Sequence, residues 1–287
     1  MRVPDSIAGL RNTASGRDWL DRLPAVLAAC RERWRLTLEG PYPDSHVALV
    51  VPATTDRGDR VVLKLQFPHR ESETEAAALR AWAGEGAIRL VDHDSAGRAL
   101  LLERCEPGDP LATEDAATAL GVIVGLLPRL WVSAGAGFGS LADEAARWCH
   151  NLPEEWETAG RPFERRLLDA AIETLTELAA SQGEQVLLHQ DLHGDNILAA
   201  QREPWLVIDP KPLVGEREFG LSPVIRSYEF GHSRDQVICR LDRLTDELGL
   251  DRERSRLWAF GHAIAWGFEN GTVLPRHIET ARWLLAA

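Results

Sequence analysis

The chain has 287 residues, 45% of them hydrophobic and 26% charged, the balance of a globular protein with room for one large domain or two lobes, and this excludes a disordered or fibrous chain. A formal charge of −12 argues against a general nucleic-acid or anionic-membrane binder and suits a cationic small-molecule partner or plain solubility. Four scattered cysteines without a CxxC pair, no secretory pattern in MRVPDSIAGLRNTASG and no apolar run near the ~20 residues of a membrane span give the expectation of a cytoplasmic protein.

In chain order, a helix is expected after Ser15 through DWLDRLPAVLAACRERW, bent or interrupted at Pro24. Three strand-like segments follow, WRLTLEG, HVALVVP and RVVLKLQF, with GPYPDS and TTDRGD as turns. A helix is expected over Glu71–Trp82, then a hairpin of AIRLVDHD and RALLLERC around DSAG. The run EPGDP, residues 106–110, reads as a boundary, because helical periodicity takes over beyond it: Ala112–Leu130, Leu141–Trp148 and Phe163–Ser181. Next come a short strand VLLH, the polar loop QDLHGDN, the segment ILAA and a strand WLVID. Helices over Ser233–Leu248, Arg252–Phe268 and Pro275–Ala286 finish the chain.

The densest polar cluster is His189-Gln190-Asp191-Leu192-His193-Gly194-Asp195-Asn196, entered from one apolar strand and left through another. Thirteen residues after Asn196, the strand Leu206-Val207-Ile208 delivers Asp209. Paired as a hairpin, these strands would gather Asp191, Asn196 and Asp209 at one place. One carboxylate and one amide oxygen suit Mg2+, a hard ion that prefers oxygen. The other carboxylate is then left to take a proton from a hydroxyl nucleophile, a division of labour that fits phosphoryl transfer. The bland alternative is a solvated turn rich in Asp, His and Gly. A second signal is compositional: of 32 basic residues only Lys64 and Lys211 are lysines, which suggests positions where a guanidinium would not serve.

The loop, the 13-residue step and the DPK that follows resemble the aminoglycoside phosphotransferase superfamily, protein-kinase-like enzymes with a catalytic HxDxxxxN loop ahead of a metal-binding Asp. EPWLVIDPKPLVGE looks like its streptomycin 6-kinase and hydroxyurea kinase branch. The resemblance implies an α+β, bilobal protein-kinase-like fold. Residues 1–105 would form an N-terminal lobe with a five-stranded antiparallel sheet and one main helix, and residues 106–287 a mostly helical C-terminal lobe. It implies ATP and Mg2+ as cofactors, Asp191 as the catalytic carboxylate facing the acceptor hydroxyl, and Asn196 and Asp209 as metal ligands. Lys64, mid-strand among apolar neighbours, would hold the α- and β-phosphates and pair with Glu75, or less favourably Glu71. Its bland reading is an edge-strand lysine snorkelling to water. LLLERC would be the adenine hinge, with Leu102 as gatekeeper and the Glu103 carbonyl and Cys105 amide on the base edge. Cys105 itself reads as a packed thiol.

The chain departs from that pattern in three places. No Gly-rich phosphate loop is present, so Ser45 in GPYPDSHV or a nearby amide must do its work. Lys211 stands where protein kinases have Phe, able to reach the γ-phosphate or to pair with Glu216. Gly220 stands where the family commonly carries an Asp that braces the catalytic loop, so Glu218 or another acid substitutes, or the loop is less rigid.

For a cationic acceptor the helical lobe should supply acids, and residues 141–180 carry nine against four Arg, most of them expected on solvated helix faces. The tail Trp266-Gly267-Phe268-Glu269-Asn270-Gly271 resembles the streptomycin-kinase pattern, which nominates Trp266 and Glu269 for the acceptor, with Glu229 and Asp235 behind them. Three function classes stay open: an ATP-dependent kinase for a hydroxyl of a small polar molecule (an aminoglycoside such as streptomycin, or hydroxyurea or another small metabolite), a metal-dependent hydrolase reading H-Q-D-L-H as ligands, and a kinase-fold binding protein with weak catalysis. No nucleic-acid, membrane or obligate protein partner is implied.

Overall fold

The computed structural model describes residues 4–43, 45 and 47–287, apart from the side chain of Glu71. Two compact units form, Met1–Gly108 with Ala199–Leu206, and Asp109–Leu198 with Val207–Ala287.

In the first unit, α1 (Asp5–Ala8) and α2 (Ala14–Arg33) precede β1 (Thr37–Leu38), β2 (Ala48–Thr54), β3 (Arg60–Gln66), α3 (Glu75–Trp82), β4 (Leu90–Asp94) and β5 (Ala99–Glu103). The strands make one antiparallel sheet in the order β1-β2-β3-β5-β4. Pro24 lies inside α2 without ending it. Alternation along β3 decides where its charge goes. Leu63 and Leu65 join a core with Trp19, Leu20 and Leu23 of α2, so Lys64 and Gln66 face the other side, toward α3.

Two expectations for this unit are corrected. WRLTLEG gives only Thr37–Leu38, because Trp34 and Leu36 send their amides back to the last carbonyls of α2 and Arg35 turns through φ 50°. The helix expected from Glu71 begins at Glu75. Ahead of it lies a 3-10 turn, Arg70–Ser72, in which the Ser72 hydroxyl bonds the His69 carbonyl and the Ser72 carbonyl accepts from Gln66.

The rest of the chain, all in the second unit save Ala199–Leu206, runs α4 (Ala116–Leu130), β6 (Gly139–Ser140), α5 (Leu141–Thr158), α6 (Arg165–Ala180), β7 (Gln185–Leu188), β8 (Ile197–Ala199), β9 (Trp205–Val207), β10 (Leu213–Glu216), α7 (Ser222–Arg226), α8 (Arg234–Leu248), α9 (Arg252–Ala265), β11 (Phe268–Glu269), β12 (Thr272–Val273) and α10 (Pro275–Leu285). Helix α4 starts at Ala116 rather than Ala112, because the Asp115 carboxylate caps the amides of Ala117 and Thr118. Helix α5 outruns the expected Trp148 by ten residues, and the signal was there: Trp148, Leu152 and Trp156, spaced by four, are all buried. Strands β8 and β9 pair with each other, and β10, which the sequence reading leaves unassigned, pairs with β7. Among the described residues no helix is long and apolar enough to cross a membrane.

Candidate active site

Strand β7 ends at Leu188 and hands the chain to a buried histidine. His189 Nδ1 accepts the Asp191 amide proton (3.3 Å), and its Nε2 lies 2.9 Å from the Ile208 carbonyl, an acceptor, so the ring proton is on Nε2. Burial pulls its pKa down to about 4 and keeps it neutral. Both ring nitrogens are committed, so His189 pins the loop to the strand carrying Ile208 and has no lone pair left for a metal. That removes the His/Asp/His ligand set from consideration. Gln190 (φ 66°) and Asp209 (φ 53°) both adopt the left-handed region, a cost of ~1 kcal/mol or more that clusters at functional sites.

Asp191, 12% exposed at its side chain, has Lys211 Nζ 2.9 Å from Oδ2, and Arg226 Nη2 at 3.6 Å and His193 Nε2 at 4.0 Å from Oδ1. Burial alone would raise its pKa, but Lys211, His193 and Arg226 outweigh it and hold the carboxyl below its ordinary value. Lys211 also lies over the Trp266 ring, 4.7 Å from its centroid, and Arg226 over the same ring at 4.8 Å. Arg226 is fixed behind by His262 Nδ1 (3.3 Å) and His277 Nε2 (3.2 Å). The alternative partner for Lys211, Glu216, is instead held by Arg254 (2.7 Å), the Gly183 amide (2.9 Å) and Trp258 Nε1. Arg226 escapes sequence reasoning, since one arginine among thirty carries no mark.

The Asn196 amide nitrogen donates to the Asp191 carbonyl (2.8 Å), which leaves Oδ1 as the amide's uncommitted acceptor. The Ile208 amide donates to the Asn196 carbonyl (2.9 Å), and Asp209, exposed, is the next residue along the chain. An amide oxygen and a carboxylate are hard donors of the kind Mg2+ takes.

Glu229 needs a correction. The sequence pattern nominates it for the acceptor, behind Trp266 and Glu269, but its oxygens are turned onto the loop: Oε1 accepts from His193 Nδ1 (2.8 Å) and Oε2 from the Gly194 amide (2.6 Å). Burial would lower the His193 pKa, yet the bond to Glu229 and the charge of Asp191 raise it. A carboxylate on the loop amides is what Gly220 lacks. A Cβ at 220 would stand 3.2 Å from Trp131 Nε1 and 3.3 Å from Leu188 Cδ2, so a side chain there would press on both and need them to give by a few tenths of an ångström. The segment carrying Arg226 and Glu229 is in turn held by buried Arg240, whose guanidinium donates to the carbonyls of Ile225 (2.8 Å), Ser227 (2.6 Å), Phe230 (3.2 Å) and Gly231 (3.3 Å).

In the first unit, Lys64 Nζ meets both Glu75 oxygens (2.9 and 2.7 Å), and both residues are buried. Gln66, not singled out in the sequence, donates to Glu75 Oε2 (2.6 Å) from the same face of β3. The Glu71 side chain lies outside the described residues. The Ser45 hydroxyl donates to the Ala48 carbonyl (2.6 Å), so its proton closes its own turn. The Glu103 side chain, expected to matter little, takes a bidentate bond from Arg202 (2.8 and 2.9 Å). Cys105 is buried, and burial pushes its thiol up to about 12, so it is inert. Leu102 is buried on β5. Asp235 lies on an exposed face of α8 beside an open depression lined by Ile238, Cys239 and Asp242. Glu269 is exposed on β11.

Residues 33–272 match the family described as aminoglycoside/hydroxyurea antibiotic resistance kinase. The chain is 38% identical to the streptomycin 6-kinase of Streptomyces griseus, over 99% of this chain and 97% of that protein. It is 42% identical to the hydroxyurea phosphotransferase of Kitasatospora aureofaciens, over 95% and 82%. Among solved structures, choline kinase LicA from Streptococcus pneumoniae has the same fold, with a TM-score of 0.64 over 92% of this chain and 100% of that one at 14% identity. So does a thermostable mutant of aminoglycoside phosphotransferase APH(4)-Ia in ternary complex with AMP-PNP and hygromycin B, with a TM-score of 0.59 over 92% and 95% at 15% identity. The chain is therefore a small-molecule phosphotransferase of α+β, protein-kinase-like fold, and it belongs to the aminoglycoside/hydroxyurea antibiotic resistance kinase family.

Proposed function

We propose that the protein transfers the γ-phosphoryl group of ATP, with Mg2+, to a hydroxyl of a cationic aminoglycoside, streptomycin being the acceptor its relatives' names point to. The observation that carries this reading is the loop itself. A buried Asp191, held ionised by neighbouring cations, has its carbonyl bonded by Asn196, and Asn196 and Asp209 carry oxygens of the kind that suits a hard cation. In this reading residues 1–105 form the nucleotide lobe. Lys64, aimed by Glu75, engages the α- and β-phosphates, backbone amides near Ser45 assist, and the Glu103 carbonyl with the Cys105 amide takes the adenine edge. Residues 106–287 supply catalysis and the acceptor site. Asn196 and Asp209 hold Mg2+, which when bound offsets charge developing on the bridging phosphate oxygen. Asp191 orients the acceptor hydroxyl and receives its proton. Trp266, Glu269 and Asp235 remain the proposed acceptor-side residues, and the enzyme is placed in the cytoplasm.

A second reading, phosphorylation of hydroxyurea or another compact acceptor, is favoured by the 42% identity to the hydroxyurea enzyme. ADP release from Mg-ATP, measured against streptomycin, other aminoglycosides and hydroxyurea, separates the two. Stimulation by streptomycin supports the first and stimulation by hydroxyurea alone the second. ADP release unaffected by every acceptor would sink both.

A further inference from the structure

Lys211 and Arg226 both face Asp191 and both lie over Trp266, but they differ in exposure and in the shape of their charged groups. The Arg226 guanidinium is fastened to His262 and His277, and its side chain is 11% exposed. Lys211 is 24% exposed, ends in a compact ammonium on a flexible four-carbon stem, and lies along an aromatic face on which a cation can slide. It is also one of only two lysines in a chain with thirty arginines. Its ammonium sits 2.9 Å from Asp191 Oδ2 and so covers an oxygen that an acceptor hydroxyl would need.

We propose that Lys211 is a mobile catalytic cation, resting on Asp191 when no nucleoside triphosphate is bound and moving to the γ-phosphoryl oxygens when one is. This rests on the kinase reading above and adds an order to it, since Asp191 opens to the acceptor only after the triphosphate is in place. In the transfer, the bond between the γ-phosphorus and the bridging oxygen breaks, and its electron pair leaves with ADP. A bond from the γ-phosphorus to the acceptor oxygen forms, and the acceptor proton passes to Asp191 Oδ2, the oxygen that Lys211 has vacated. On the phosphoryl group, Lys211 offsets charge at the moment of transfer.

The composition makes the test direct, because labelling lysine side chains with 13C and 15N yields two ammonium signals, assigned with Lys211→Arg. Asp191→Asn in the nucleotide-free protein marks the position of a Lys211 released from the carboxylate. With Mg2+ and ADP, the Lys64 signal should move and the Lys211 signal should stay. With Mg2+ and AMP-PNP, both should move, Lys211 away from its resting position and in the direction marked by Asp191→Asn. A Lys211 signal unmoved by AMP-PNP while Lys64 responds overturns the proposal, as does an equal response of Lys211 to ADP. If neither signal responds to either nucleotide, the nucleotide-binding reading has failed and the proposal falls with it.

Discussion

Glu229 holds the amide of Gly194 across a 2.6 Å N···O distance, reaching back 35 residues to the loop that carries Asp191. Its other oxygen takes His193 (2.8 Å), so one side chain fixes two consecutive loop residues. Hydrogen bonds to a charged group contribute about 1.5–3 kcal/mol each. Glu229→Gln should therefore lower kcat/KM by about 10–100-fold, the equivalent of one such bond. AMP-PNP affinity should stay within about twofold, because Glu229 has no part in the proposed nucleotide contacts. Full activity in the variant would show that the loop keeps its shape without this carboxylate.

Gly220 supports the same account from the other side. The spaces around its missing Cβ are filled by Trp131 and Leu188 at 3.2 and 3.3 Å. Restoring the acid by Gly220→Asp should not raise turnover. It should cost about 1–3 kcal/mol through overpacking, read as a lower urea midpoint. An active, undiminished Gly220→Asp would mean that the two bracing carboxylates are interchangeable.

The loop and its hairpin were legible in the sequence because their information is local: the apolar strands, the polar run between them and the thirteen-residue step to Asp209 all lie within about twenty residues. Lys64 and Glu75 were legible for a similar reason, an isolated charge in an apolar strand eleven residues from a helix acid. What could not be read was long-range. Glu229 looks like one more surface acid until its bond to Gly194 is seen, and Arg226 and Arg240 are two arginines in a chain full of them. Strand β10 was missed because four residues interrupted by Gly215 carry little periodicity, and its partner β7 lies 25 residues upstream. The sequence offers Lys211 a partner in Glu216, but Glu216 is held by Arg254 and Lys211 lies on Asp191, a contact no local pattern announces.

Asp191 and Asp209 should fail in different ways. Asp191→Ala should lower turnover at least about 10²-fold, the range of a positioned acid–base group, with AMP-PNP binding largely intact. Asp209→Ala should retain a folded loop but lose the Mg2+ dependence of AMP-PNP affinity in calorimetric titrations. Magnesium dependence that survives in Asp209→Ala would take that residue out of the metal site.

The Lys64–Glu75 pair predicts an asymmetry between single and double variants. Both side chains are buried, and Gln66 adds a third polar group to the cluster. Lys64→Met strands a buried carboxylate and should cost about 3–5 kcal/mol in urea unfolding. The double variant Lys64→Met with Glu75→Met should recover much of that loss while staying inactive. A double variant as unstable as the single one would mean that the pair itself, rather than the unpaired charge, sets the stability.

Acid should weaken the fold well before the carboxylates are titrated. Burial holds His189 and His277 at about 4, against an ordinary value of 6.5, and holds His262 well below that ordinary value. Above pH 6.5 these rings are neutral whether the chain is folded or not, and their full contribution is present. Between about 6.5 and 4 the unfolded chain binds protons that the folded chain refuses, so stability falls as the pH drops, by about 1.4 kcal/mol per unit for each such ring. His193 runs the opposite way, because Glu229 and Asp191 raise its pKa and its contribution is lost as the pH rises. Three rings against one set the sign, so the urea midpoint should be lower at pH 5 than at pH 7. His277 donates from Nδ1 to the Trp266 carbonyl (2.7 Å) and accepts from Arg226 at Nε2, so an uncharged Gln can replace part of that bonding without a proton to refuse. His277→Gln should narrow the gap between the two midpoints. A gap of unchanged size in that variant would assign the acid sensitivity to the other histidines.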